Sequence, residues 1–273
     1  MRNIKYVVKS HQRVEDFGSK TYNKIILKYK FNLKNTFVFV SLQEDVESYS
    51  LKYPEINIVK SPKGVAAVDN FITDYFGEGQ EIVYMNDDLK GLYSVNDKLK
   101  FDELSLVECE SLINNSFETM QENNISYGGI YPILNGMFMS GGEDIKFGFC
   151  FIQDPFSFCI NNKKIKITIS DKSDYEKSIL HFRDKGALLR NNRYSMKVEN
   201  YVKKGGFQGR NSITEKDTAE KMVSLYPLYV NNYKTKKNGV TSLRLKRINC
   251  QKNIIKGGVL IKEVIDLKQI SLF

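Results

Sequence analysis

Glu81-Ile82-Val83-Tyr84-Met85-Asn86-Asp87-Asp88-Leu89 decides how the chain is read. Ile82 to Met85 is a short apolar run that reads as a buried strand, and it leads directly into two adjacent carboxylates. In an open α/β sheet, acids at the carboxyl end of a strand stand where ligands and metals are held. Neighbouring carboxylates repel, so a chain that builds such a pair balances it with a cation, and oxygen ligands suit Mg2+ or Mn2+. A metal held there would grip a diphosphate. The same tripeptide, Asn86-Asp87-Asp88, also reads as a solvated turn closing a strand.

Outward from this stretch, the first part of the chain alternates strand and helix. Ile4 to Val8 is short and apolar, and Ser19 to Tyr29 carries Ile25, Ile26 and Leu27 over a helix-length segment. Thr36 to Val40 is a β-branched and aromatic run, and Ile56 to Val59 is a further candidate strand. Val65, Val68, Phe71, Ile72 and Tyr75 recur at helical spacing and predict one apolar stripe over Val65 to Phe76. This βαβα order predicts a doubly wound, mainly parallel sheet of Rossmann type.

The second part mixes its signals. Leu104, Val107, Leu112, Ile113, Phe117 and Met120 predict a helix between Asp102 and Asn123. Tyr127 to Pro132 and Phe147 to Phe151 read as strands beside small residues, and Lys164 to Ile169 alternates with Ile165, Ile167 and Ile169 on one face. Ser173-Asp174-Tyr175-Glu176 has the spacing of a capping box, opening a helix to about Arg183 with Gly186 as its stop. Thr214 to Leu225 predicts another helix, and Val240 to Lys246 a late strand. No internal repeat, low-complexity tract or linker interrupts the chain, which implies one continuous domain.

At 273 residues with 41% apolar content, the chain can bury a core without covalent staples. No run approaches the ~18 apolar residues of a membrane span, and the N-terminal residues have no long apolar region, so neither secretion nor membrane insertion is expected. Cys109, Cys150, Cys159 and Cys250 lack metal-binding spacing and read as buried thiols of a reducing cytoplasm. With only His11 and His181, a zinc site is not expected.

Charge is uneven. Residues 1–110 hold 15 Lys and Arg against 17 Asp and Glu, so the net +9 comes from the remainder. Between Glu220 and Glu263 there is no acid, but ten basic residues lie among Tyr226, Tyr229 and Tyr233. Such a stretch suits a polyanion, because each phosphate it neutralises releases counterions; it also serves simply to keep a surface soluble. Gly205, Gly206 and Gln208, with Lys203, Lys204 and Arg210, offer backbone N–H groups and cations to a phosphate, or form a plain glycine-rich surface loop. Arg190 and Arg193 make a further basic patch around Asn191-Asn192.

The order of motifs, Ser10-His11-x-Arg13, Gly64-x5-Asn70, Asn86-Asp87-Asp88, Gly129-x-Tyr131-Pro132, Asp174-Tyr175-Glu176 and Gly205-Gly206-x-Gln208-x-Arg210, resembles that of GT-A-fold glycosyltransferases of phages and giant viruses. This group is related to the TET/JBP-associated enzymes that add sugars to hydroxymethylated DNA bases. The resemblance spans about Val7 to Arg247. It implies a GT-A-like fold in which residues 1–100 bind a nucleotide sugar and residues 101–273 form an acceptor-side mixed α/β part.

The implied reaction is transfer of a sugar from a UDP-sugar, with Mn2+ or Mg2+, to a 5-hydroxymethylpyrimidine in DNA. By the resemblance, Asp88 is the metal ligand, with Asn86 and Asp87 as donor contacts, and Ser10, His11, Arg13 and Asn70 line the nucleotide pocket. Asp174 is the implied general base and Glu176 its rival, although acids at a helix start also serve as dipole partners. Arg190, Arg193, Lys203, Lys204, Gly205, Gly206, Gln208 and Arg210 are assigned to acceptor or phosphate. The chain departs from the pattern in two places: Asn86 replaces the first aspartate of the metal motif, and Asp69 stands where an arginine is expected. A glycan or protein acceptor, or a non-enzymatic nucleic-acid-binding protein, are the competing readings.

Overall fold

The computed structural model describes residues 2–139, 143–199, 212–235, 241–256 and 259–262. The chain opens with β1 (Lys5–Lys9), then α1 (Val14–Phe17), a π-helix (Gly18–Leu27) and a 3-10 turn, before β2 (Thr36–Val40) and α2 (Gln43–Lys52). β3 (Asn57–Lys60), α3 (Val65–Tyr75), β4 (Glu81–Asn86), β5 (Leu89–Val95), β6 (Phe101–Glu103) and α4 (Leu106–Glu122) follow. Next come β7 (Tyr127–Tyr131), α5 (Gly136–Met139), β8 (Ile145–Gly148), β9 (Phe156–Ile160), α6 (Ser173–Lys185) and β10 (Leu188–Val198). The described chain ends with α7 (Ser212–Leu225), β11 (Val230–Thr235), β12 (Thr241–Leu245), β13 (Ile254–Lys256) and β14 (Val259–Lys262).

Ten strands make one sheet in the order β3-β2-β1-β4-β9-β7-β10-β5-β6, with β8 also paired to β10. The first four are parallel to one another, as the βαβα order predicts. From β9 onward the pairing is mixed, giving the expected mixed second part. Alternation along each strand sends side chains to two cores. Val8, Val38, Val83 and Met85 meet Phe17, Tyr49, Ile113 and Phe117 on one face. Val7, Phe39, Ile82 and Tyr84 meet Ile72 of α3, Ile179 and Phe182 of α6 and Met222 of α7 on the other. The fold is a doubly wound α/β sheet of Rossmann type. All four cysteines are buried and free, and among the described residues no helix is long and apolar enough to cross a membrane.

Several predicted elements change. The Ser19–Tyr29 helix starts earlier, at Val14, and is π-helical over Gly18–Leu27. The Phe147–Phe151 strand is instead Ile145–Gly148, and the Asp102 helix starts at Leu106, behind a capping box of Ser105 and Glu108. Lys164–Ile169 is not a strand, because side chains rather than a neighbouring strand take its backbone groups. Asn70 donates through Nδ2 to Ile167 O (2.8 Å) and accepts from Ile167 N (2.7 Å). Ser173–Glu176 forms no capping box: the N-cap of α6 is Lys172 in left-handed backbone (φ 83°), with no side-chain cap. Gly186, also left-handed, does end the helix.

Glu176 explains the missing box. Its carboxylate is 0% exposed and accepts from Thr168 N, Thr168 Oγ1, Ile169 N and Tyr226 Oη at 2.6–2.8 Å. Four donors satisfy a buried carboxylate without a counter-cation, and they clamp the 168–169 segment and Tyr226 onto α6. Replacing Glu176 with Gln turns an amide donor toward these donors and should cost about 2–3 kcal/mol, read as a lower urea midpoint. Tyr226→Phe should cost about 1 kcal/mol, and unchanged midpoints in both would remove the clamp from the account.

Candidate active site at the ends of β1 and β4

The strand order reverses between β1 and β4: β1 leads outward to β2 and β3, and the chain returns across α3 to place β4 on the other side of β1. The connections leaving the carboxyl ends of two such strands run to opposite sides and leave a crevice, the usual ligand site of an open α/β sheet. Ser10 follows β1 and Asp87 follows β4, and the Ser10 hydroxyl donates to Asp87 Oδ2 across this point. Tyr49 of α2 shares a 2.6 Å hydrogen bond with the same hydroxyl. Arg13 Nη1 donates to Asp87 Oδ1 at 3.2 Å and lies 3.9 Å from Asp88 Oδ2.

The turn itself is pinned from the π-helix. Thr21 Oγ1 donates to Asn86 O (2.6 Å) and accepts from Leu89 N (3.0 Å), so one hydroxyl holds both ends of the Asp87–Asp88 corner. Asn86 N donates to Pro155 O at 3.3 Å. Lys20 of the π-helix pairs with Asp16 and Glu199, and Glu199 N donates to Asp88 O at 3.3 Å.

The two carboxylates differ. Asp87 is buried and committed to Ser10 and Arg13; burial raises its pKa, against which those two partners work. Asp88 is pushed up to about 6, first by burial and then by the Asp87 charge. Its Oδ1 is buried and, among the described residues, has no hydrogen-bond partner. No group of three or more His, Cys, Asp or Glu side chains among the described residues is set to hold a metal ion. Mg2+ is often held by one or two carboxylates completed by substrate phosphates, and Asp88, with its unpartnered oxygen, fits that manner of binding.

The other face of the same strand ends carries a buried ionic cluster that sequence reasoning missed. Lys9, the last residue of β1, lies 2.8 Å from both Asp69 and Asp154. Lys177 of α6 reaches the same two carboxylates at 3.0 and 2.8 Å. Tyr127 Oη donates to Asp154 (2.8 Å), and the Lys177 ammonium lies 4.6 Å from the centre of the Tyr84 ring. Burial opposes charge on Asp154, but Lys177 and Lys9 outweigh it and hold the carboxyl well below its usual range. Beside the cluster, a cavity of about 20 Å3 lined by Asp69, Tyr84, Tyr127, Asn161 and Lys177 has room for about one water and is too small for a nucleotide.

Asp174 lies at the same end of the sheet. β4 and β7 both run antiparallel to β9, hence alongside each other in one direction, and β10 is parallel to β7. α6 runs back against β10 after a two-residue connection, which puts its first turn at the carboxyl ends of these strands. Burial, then the Asp154 charge, push Asp174 up to about 7. No hydrogen bond or ion pair joins it to Asp87 or Asp88.

The remaining predicted residues are dispersed. His11 faces Ser41 (3.3 Å) and Asp45 (3.9 Å) beside the crevice. Asn70 is occupied by the Ile167 backbone, and Glu176 by its four donors. Arg190 sits 4.7 Å from the Tyr131 ring centre and bonds Asn192, while Arg193 pairs with Asp97 and Asp144 on the surface, so the structure does not gather them with the acid pair. Lys203, Lys204, Gly205, Gly206, Gln208 and Arg210 lie outside the described residues. His181 is buried, stacked on Tyr127 and bonded to Ser126, and burial lowers it to about 3.

No family model matches the chain, and no curated protein matches it. Among solved structures, the mannosyltransferase PcManGT from Pyrobaculum calidifontis, in complex with GDP-Man and Mn2+, is similar at a TM-score of 0.44 and 10% identity. The match covers 65% of this chain and 51% of that one, so this chain spans about half the length of that structure.

The Asp88 environment has a thermodynamic signature. Its folded pKa, about 6, lies above the ordinary 3.8, so stability from this group is present below the ordinary value and is lost as pH rises toward 6. At pH 8 the ionised carboxylate therefore costs about 3 kcal/mol. Asp88→Asn should stabilise the ligand-free protein by about that amount at pH 8, and the gain should vanish near pH 4 in urea unfolding. A loss of stability at pH 8 would mean that Asp88 is satisfied within the fold.

Proposed function

We propose that the protein is a GT-A-like, metal-dependent glycosyltransferase that moves a sugar from a UDP-sugar to the hydroxyl of a 5-hydroxymethylpyrimidine in DNA. One observation carries the reading: a buried carboxylate oxygen of Asp88, without a hydrogen-bond partner among the described residues, beside Arg13 at the point where the strand order reverses. Donor binding belongs to the first hundred residues and acceptor binding to the rest.

Asp88 would hold Mn2+ or Mg2+, which when bound offsets charge on the diphosphate leaving group. Ser10 and Arg13 hold Asp87, and through it the corner that carries Asp88. Arg13 and Lys20 supply fixed positive charge beside that corner, where the departing β-phosphate becomes more negative. Asp174 takes the proton of the acceptor hydroxyl. With a pKa near 7 it is about half deprotonated at neutral pH, the balance a general base requires. A single base of this kind fits direct displacement, with inversion at the sugar carbon.

The DNA acceptor is supported by charge. The acid-free run from Lys221 to Lys262 spans the end of α7 and strands β11 to β14; α7, β11 and β12 share the core of α6, whereas β13 packs on the α4 side. A polyanion attracted there would approach the face that carries Asp174.

The decisive assay follows UDP release with Mn2+ or Mg2+, a panel of UDP-sugars, and DNA carrying ordinary or hydroxymethylated pyrimidines. Release should need both metal and the hydroxymethyl group. Asp88→Ala should lower kcat at least ~100-fold, and Asp174→Asn should abolish the rise in rate as pH passes about 7. Release that ignores the DNA would point to a glycan or protein acceptor; no release with any donor, alongside tight DNA binding, would leave a nucleic-acid-binding protein.

A further inference from the structure

The buried Lys9–Asp69–Asp154–Lys177 cluster has no part in the chemistry just described. Each ammonium touches both carboxylates, and each carboxylate both ammoniums, at 2.8–3.0 Å. The members come from β1, α3, the segment before β9, and α6. Asp69 is 1% exposed. Buried ion pairs add little net stability over a well-packed apolar set, because desolvation offsets their attraction. What four alternating charges do supply is geometry: none can shift without leaving another unpaired.

The location of that geometry is specific. Lys9 is followed directly by Ser10, which bonds Asp87. Asp154 is followed by Pro155, whose carbonyl accepts from Asn86 N. Lys177 stands three residues after Asp174, one turn along α6 and on the same side of the helix. The cluster thus joins both strand ends that carry the acid pair to the helix that carries Asp174.

Resting on the reading of Asp174 as the base, we propose that Asp154 and Lys177 are positioning residues, whose cluster fixes Asp174 at the strand ends and sets its affinity for a proton. The charges that act on Asp174 are those of Asp154 from the segment before β9, Lys177 from its own helix and Lys172 at the N-cap of that helix. The Asp154 charge raises Asp174 and the Lys177 charge lowers it.

These opposite signs separate positioning from mere support. A variant that only loosens the packing admits water to Asp174 and lowers its pKa, whichever cluster residue is changed. If the charges themselves act, Asp154→Asn should lower the Asp174 midpoint and Lys177→Met should raise it, each by about one unit.

The experiment is a carboxyl-13C NMR titration of aspartate-labelled full-length protein, with Asp174 assigned through D174N. Should a single change fail to fold, the balanced pair K9M/D154N keeps one ammonium against one carboxylate and should also shift the midpoint downward, with Asp154→Glu in otherwise native protein restoring it. Opposite shifts for D154N and K177M support the proposal. Equal shifts in one direction, or none, overturn it. The titration needs no donor, so opposite shifts in a protein that releases no UDP would sink the transfer reading and leave the positioning intact. In an active protein, the pH at which kcat rises should move with the midpoint in each variant, while KM stays within about twofold.

Discussion

A single hydroxyl, that of Ser10, spans the point where the winding of the sheet reverses. On one side it meets Asp87 at the end of β4, and on the other Tyr49 from α2. The connections leaving two such strands turn to opposite faces of the sheet, and whatever bridges them must not fill the crevice between. Here the bridge is polar and small. It commits Asp87 to the protein, aided by Arg13, so the repulsion between adjacent carboxylates falls on Asp88 alone. The difference within the pair, one acid hydrogen-bonded and the other with an unpartnered oxygen, follows from which side of the corner the Ser10 hydroxyl reaches.

The strand ends are polar on both faces, but differently. Toward Tyr49 the groups are a hydroxyl, a guanidinium and two carboxylates, of which Asp87 is buried and Asp88 partly exposed. Toward α6 they are four mutually paired charges beside Tyr84 and Tyr127, with only Lys9 partly exposed. Charges of the second kind attract strongly because little water screens them, and they tolerate little displacement for the same reason.

Much of the first half was legible because its signals are local. Thr36-Phe37-Val38-Phe39-Val40 is a strand wherever it is paired, and the observed β2 has those bounds. The Val65–Tyr75 stripe lies on consecutive helical turns and gave α3 nearly as read. The acid pair was visible because an apolar strand stopped beside it. What escaped was non-local. Lys9, Asp69, Asp154 and Lys177 are separated by 23 to 85 residues between successive members, and nothing in the neighbourhood of any one of them announces the others. Glu176 misled for the same reason: its spacing from Ser173 imitates a cap, while its real donors are Thr168, Ile169 and distant Tyr226. The alternation of Lys164–Ile169 was genuine, but a strand also needs a partner edge, and Asn70 with Glu176 occupies the backbone groups that an edge would use. α2 gave little signal, with only Val46 and Tyr49 as apolar positions on its inner side.

Among the described residues the ten-stranded sheet ends on β3 and β6, with β8, which pairs only with β10, as a third edge, and all three are brief. β3 contributes four residues and ends on exposed Lys60. β6 contributes three, Phe101-Asp102-Glu103, and Glu103 is paired to Lys28 at 2.7 Å. An exposed strand edge is a template for another chain, and shortness with charge is how natural sheets deny it. The breadth of the sheet, which the placement of the crevice requires, is thus obtained without offering a surface for end-to-end growth into fibrils.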